Sequence, residues 1–180
     1  MSSEPRWVLL IYTVPAEPSR LRATIWRELK KVGAPYLRDG VCILPHRPST
    51  LEAIRAIAAR VEEFGGEATL VQEARLEAAR ADSLIEQFGR LRAAEYADVG
   101  REAERLLDHV AHETQHREFT YAELEELEAD LGKLRRWADQ IQARDYFGNG
   151  LPQGLTALLE RCDEALSVFL DRAAAEEGRL

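Results

Sequence analysis

An α+β fold is predicted for this chain, with strands and helices alternating over residues 1–78 and helices alone over 79–180. Two observations predict it. Short apolar runs bounded by Pro, Gly or Asp-Gly alternate with two helical patterns in the first part. From about residue 79 the turn signals thin out, and Ala, Leu, Glu and Arg recur at helical spacing. With 180 residues, 46% of them apolar, the chain is long enough for one compact domain or two small ones.

The elements follow in order. Trp7 to Val14 is a continuous apolar run ending at Pro15, the pattern of a central strand buried on both faces. Ser19 opens a helix that runs to Val32 and closes at Gly33, with Leu21, Ile25, Leu29 and Val32 on one stripe. Ala34 to Leu37 contains Pro35, which suits an edge strand. Arg38-Asp39-Gly40 has hairpin-turn chemistry, and Val41 to Leu44 is a second apolar strand stopped by Pro45. Ser49 and Glu52 form a capping-box signature. The helix behind them carries Leu51, Ile54, Ile57, Ala58, Val61 and Phe64 on one face, and Gly65-Gly66 ends it. Ala68 to Ala74 reads as a last, more polar strand. This βαββαβ order is the ferredoxin-like arrangement, with the first and third strands central and the second and fourth at the edges.

The second part begins with a long helix from Asp82 to His116. Thr120 and Glu123 form another capping box. In the helix that follows, Leu124, Leu127, Leu131, Leu134, Ala138 and Ile141 alternate by three and four, as in a coiled-coil seam. Gly148-Asn149-Gly150-Leu151-Pro152 breaks the pattern. A final helix turns Leu155, Leu158, Leu159, Cys162, Leu166, Phe169 and Leu170 inward, so a three-helix region is expected. The seam also offers apolar area for a homodimer.

The net charge of −8 is unevenly spread. Residues 1–80 hold 12 Lys/Arg against 10 Asp/Glu, whereas 81–180 hold 12 against 22. Only the first part is suited to face phosphates or a small oxyanion. Cys42 and Cys162 stand alone, without metal or redox spacing, which points to buried thiols in a reducing cytoplasm. No run of apolar residues is long enough to predict a membrane span, and the start lacks the basic region of a secretory signal.

No nucleophile elbow, phosphate loop, HExxH or paired CxxC occurs, so neither an enzyme nor a cofactor is expected. On the long helix His109, His112 and His116 fall within about 60° of one another, on the flank of the apolar stripe. They are candidate metal ligands, in need of a further ligand such as Glu113 or a carboxylate from a neighbouring helix. On the first helix Arg20, Arg27 and Lys31 share an exposed ridge suited to long-range attraction of phosphate or oxyanion. Arg22 and Trp26, four apart, are expected to flank the buried stripe, with the guanidinium stacked on the indole. Arg22, with Arg38 of the hairpin turn or Arg144 of the helical part, is the candidate oxyanion or phosphate contact.

Arg6-Trp7-Val8-Leu9-Leu10-Ile11-Tyr12-Thr13-Val14-Pro15, Arg22-Ala23-Thr24-Ile25-Trp26-Arg27 and Leu37-Arg38-Asp39-Gly40-Val41-Cys42-Ile43-Leu44-Pro45 carry a family likeness. So do Phe119-Thr120-Tyr121-Ala122-Glu123-Leu124-Glu125-Glu126 and Arg144-Asp145-Tyr146-Phe147-Gly148. The chain resembles the N-terminal region of the ChrB chromate-resistance regulators. More distantly, its first half is similar to the Cas2-like ferredoxin-like domain of PaaX-type repressors. The resemblance implies chromate-responsive control of resistance genes, through DNA, a chromate- or sulfate-like oxyanion, or a partner protein. A ligand-free interaction module built on the leucine seam is the alternative. A Cas2-like nuclease is a third reading, but it wants a carboxylate at the end of the first strand, and Arg6 to Pro15 contain none.

Overall fold

The computed structural model describes residues 5–116, 120–148 and 150–177. Met1 to Glu4, and Phe119 and Asn149 of the sequence patterns above, lie outside the described residues. The chain divides into two compact units, Met1–Phe88 and Gly89–Leu180. Its elements are β1 (Trp7–Thr13), α1 (Ser19–Lys31), β2 (Tyr36–Arg38), β3 (Val41–Pro45), α2 (Pro48–Glu63), β4 (Glu67–Ala74), α3 (Ala78–His116), α4 (Tyr121–Gln142) and α5 (Gln153–Glu177). Among the described residues this is an α+β protein with one four-stranded antiparallel sheet, ordered β2-β3-β1-β4, and five helices. No strand follows β4 among them. Compactness places the division at Phe88–Gly89 rather than at residue 78, because Ala81, Leu84 and Phe88 of α3 are buried in the first unit.

β1 pairs with β3 on one side and β4 on the other, which its apolar run demands. Its two faces differ, and here the expectation of burial on both is corrected. Val8 and Leu10 are fully buried, in register with Leu44 and Cys42, on the face that α1 and α2 cover. On the opposite face Trp7 is buried and stacks on Phe88, with ring centroids 6.2 Å apart. Further along it Ile11 is 43% exposed. The helix stripes fall where the spacing put them: Ile25 and Leu29 of α1 and Ile54, Ile57, Ala58 and Val61 of α2 are buried. The cap of α2 is not the expected Ser49–Glu52 pair. The helix begins at Pro48, and Thr50 Oγ1 accepts from the Arg47 N–H at 3.0 Å, because Pro48 favours the first helical position.

In the second unit one core joins α3, α4 and α5. It runs from Tyr96, Val99, Ala103, Leu106 and Val110 through the whole α4 seam to Leu155, Leu159, Cys162, Leu166 and Phe169. The seam is therefore consumed inside the chain. Thr120 caps α4 by accepting from the Glu123 N–H at 3.2 Å. Leu170, expected inside, is 40% exposed, and Ala173 takes the next buried position instead.

Gly40 ties the hairpin to the end of β1. Its carbonyl accepts from the Tyr12 N–H at 2.7 Å, its φ is +69°, and a Cβ there would stand 2.5 Å from the Tyr12 carbonyl oxygen. Both the left-handed backbone and the close approach require glycine. Gly40→Ala is expected to cost roughly 2 kcal/mol or more in urea unfolding followed by circular dichroism. Gly89→Ala, in α3 with nothing near its added methyl, is expected to gain roughly 0.5–1 kcal/mol.

Candidate functional site

In the first unit, the end of the sheet and the flank of α1 enclose a concave surface of about 420 Å³. Tyr12, Val14, Arg22, Trp26, Tyr36, Asp39 and Gly40 line it. Tyr12 is the last residue but one of β1, Tyr36 opens β2 opposite Cys42, and α1 adds Arg22 and Trp26 one turn apart. The two phenol oxygens are 2.7 Å apart and share a hydrogen bond. That bond uses one hydroxyl proton and leaves the other for an acceptor in the cavity. Burial, above all, pushes both phenols upward, so both stay neutral donors across the physiological range. Beneath them burial pushes the Cys42 thiol up to about 12, so it is no nucleophile.

Arg22 is exposed at the rim and makes no ion pair among the described residues. Its expected stacking on Trp26 is corrected. The cation over the indole is Lys30, with Nζ 5.1 Å from the ring centroid, and Trp26 is 51% exposed rather than tucked beside the core. A spacing of four also separates Trp26 from Lys30, so both basic residues competed for one ring. Arg20, Arg27 and Lys31 are exposed, as a ridge opposite the buried stripe should be. Arg38 is exposed at the end of β2, outside the residues that line the cavity. Asp39 adds a negative charge to the same rim.

Arg144 lies in the second unit, inside a buried charge cluster. It donates to Glu95 Oε1 and to the Gln140 carbonyl, both at 2.9 Å. Arg92 Nε stands 2.9 Å from Glu95 Oε2, yet misaligned, so both atoms lack a hydrogen bond, as do Arg92 Nη1 and Arg144 Nε. Arg92 is only 5% exposed. Burial lowers its guanidinium pKa, Glu95 opposes that shift, and Arg144 adds to it. Tyr96 donates to Asp145 at 3.4 Å beside them. Sequence reasoning missed Arg92, although a signal was present. It sits at a core position of α3, four residues after buried Phe88 and four before buried Tyr96.

The histidines separate into two groups. His112 and His116 are exposed, with rings 4.1 Å apart, and His116 Nδ1 lies 2.9 Å from the His112 carbonyl oxygen. His109 instead faces two carboxylates, Glu113 at 3.5 Å and Glu123 at 3.2 Å.

A helix-covered antiparallel sheet with a tyrosine- and arginine-lined hollow, together with a helical unit, defines a two-unit α+β protein. The model of the family described as Protein ChrB, N-terminal, matches residues 22–179, and the chain belongs to that family. It is also similar to Protein ChrB of Cupriavidus metallidurans, 37% identical over 57 residues. That match covers 32% of this chain and 18% of the relative. No solved structure matches significantly.

Replacing one member of a buried charge cluster strands the others. Glu95→Gln is expected to lower stability by roughly 3 kcal/mol in urea unfolding, because two largely buried guanidiniums lose their shared counter-charge. Arg135→Ala, whose ion pair with Asp163 is half exposed, is expected to change it by less than about 1 kcal/mol.

Proposed function

We propose that this chain is a non-enzymatic regulator or sensor of chromate resistance that works in the cytoplasm by binding a dianionic oxyanion. The observation that carries the reading is membership of the ChrB N-terminal family over residues 22–179. Several features support it. The element order and the β2-β3-β1-β4 sheet suit a ferredoxin-like first unit. β1 offers no carboxylate for nuclease chemistry. Both cysteines are free and buried, and no described helix is long and apolar enough to cross a membrane.

A tetrahedral dianion is gripped by forked guanidinium donors and hydroxyls, best where water is partly excluded. Arg22 supplies the fork, the free phenol proton of the Tyr12–Tyr36 pair supplies a second donor, and Trp26 walls one side. Arg38 is the nearby reserve on the hairpin, and Arg20, Arg27 and Lys31 attract the anion from a distance. Asp39 opposes it and sets a limit on affinity. Arg144 is a weaker contributor, because Glu95 and Gln140 already take a donor from each of its terminal nitrogens.

The exposed ridge favours a second reading, contact with DNA phosphates, since none of its three side chains has an ion-pair partner among the described residues. A homodimer has less to stand on than the leucine seam suggested, because the seam is buried within the chain. Exposed Val168 and Leu170 on α5, and Ile11 and Val71 on the sheet, are among the apolar side chains still open to a partner.

Calorimetry with chromate and with sulfate tests the principal reading. The wild type is expected to bind chromate, and Arg22→Ala, with its fold confirmed, to bind at least about tenfold more weakly, the worth of one charge-assisted contact. Absence of heat from the wild type, or equal binding by the variant, ends it.

A further inference from the structure

The carboxylates facing His109 are oddly placed for ordinary surface groups. Glu113 is 8% exposed and occupies a core position of α3, three residues after buried Val110. Glu123 sits in the first turn of α4, held there by the Thr120 cap. His109 Nε2 and one oxygen from each carboxylate all lie within 4.8 Å of one another. Two carboxylates this close, one of them buried, need compensating positive charge. His109 is the sole basic side chain paired with either carboxylate among the described residues. Even when protonated it offsets only one of the two charges. The basic side chains of the adjoining hollow are already engaged, Arg105 with Glu102 at 2.6 Å and Lys133 with Asp130 at 2.7 Å.

We infer that His109, Glu113 and Glu123 form a binding site for a divalent transition-metal ion. At metal–ligand distances of about 2.1 Å, neighbouring donors on a tetrahedron or octahedron stand about 3.0–3.4 Å apart. The separations of 3.5 Å and 3.2 Å from His109 to the two carboxylates lie close to that spacing. One imidazole and two carboxylates, without a thiolate, suit Zn2+, Mn2+ or Fe2+ and disfavour Cu+. Three protein ligands leave at least one position for water. A hollow of about 300 Å³ beside His109, in which Arg105 and Lys133 balance Glu102 and Asp130, gives a hydrated ion room to approach. A bound ion bridges the late part of α3 to the first turn of α4. This site is independent of the oxyanion reading, which concerns the other unit.

The test uses the full chain, freed of metal by chelator, with Zn2+ and Co2+ as probes. One equivalent of Zn2+ is expected to bind in calorimetry and to raise the thermal midpoint, and Co2+ to give a visible ligand-field band. Glu123→Gln and His109→Ala, each with native circular dichroism, are expected to weaken Zn2+ at least tenfold and to abolish the Co2+ band. The double variant His112→Ala/His116→Ala is expected to keep both. Failure of the wild type to bind one equivalent overturns the site. So does binding that survives Glu123→Gln and disappears in the double variant, which would move the ion to the exposed histidines.

Discussion

The first unit depends on one strand being paired on both edges. β1 bonds to β3 and β4, and its Trp7, Val8 and Leu10 are wholly buried. A strand so placed spends its backbone donors and acceptors on two neighbours, with one irregularity against β4 between Trp7 and Leu9, and its side chains anchor the helices above. Its end is equally constrained. Gly40 approaches the Tyr12 carbonyl more closely than any Cβ would allow, and a Cβ on Gly66 would overlap the Thr13 carbonyl. Two glycine approaches therefore fix the last residues of β1, and with them the Tyr12 ring. Tyr36, brought alongside by the hairpin, completes the hydroxyl pair, and α1 lays Arg22 and Trp26 across the opening. The hollow is a consequence of strand pairing, and its donors are positioned by backbone rather than by flexible loops.

The helical unit solves a different problem. Its leucine seam is satisfied within the chain, yet α3 brings two charged residues, Arg92 and Glu113, into its own core register. A buried guanidinium or carboxylate is tolerable only with counter-charge at hand. Arg92 obtains it from Glu95, with Arg144 and Asp145 closing the cluster. Glu113 faces the His109 imidazole at 3.5 Å. Such groups cost stability against apolar residues of the same size, so their presence directs attention to binding. The same reasoning explains why Arg144 serves the bundle first: both its terminal nitrogens are engaged before any ligand arrives.

Features set by local chemistry were legible in the sequence. The apolar runs of β1 and β3, the Asp39-Gly40 hairpin, the stripes of α1 and α2, the Thr120 cap and the α4 seam all follow from residues within one or two turns of each other. What escaped depends on neighbours far along the chain. The Tyr12–Tyr36 bond joins residues 24 apart, and Arg144 meets Glu95 across 49. The histidine triplet illustrates the difference. Spacing puts its members on one side of α3, but the partners that set His109 apart from His112 and His116 include Glu123 on another helix. Ser49 and Thr50 both suit a helix start, and Pro48 at the first helical position decided for Thr50. The charged residues in the α3 register were visible as interruptions of an apolar pattern, a signal outweighed by the abundance of charge on every face.

The central claim is that a tetrahedral dianion is held at the end of β1, and the most direct measurement is where such an ion sits. A crystal of this chain soaked in tungstate, a heavy tetrahedral dianion, reports the position through anomalous scattering. The expected result is a peak within hydrogen-bond distance of the Arg22 guanidinium and a phenol oxygen of the Tyr12–Tyr36 pair, reduced in competition with chromate. A crystal with no peak there, or with tungstate only beside Arg92 and Arg144 or along the ridge of Arg20, Arg27 and Lys31, contradicts it.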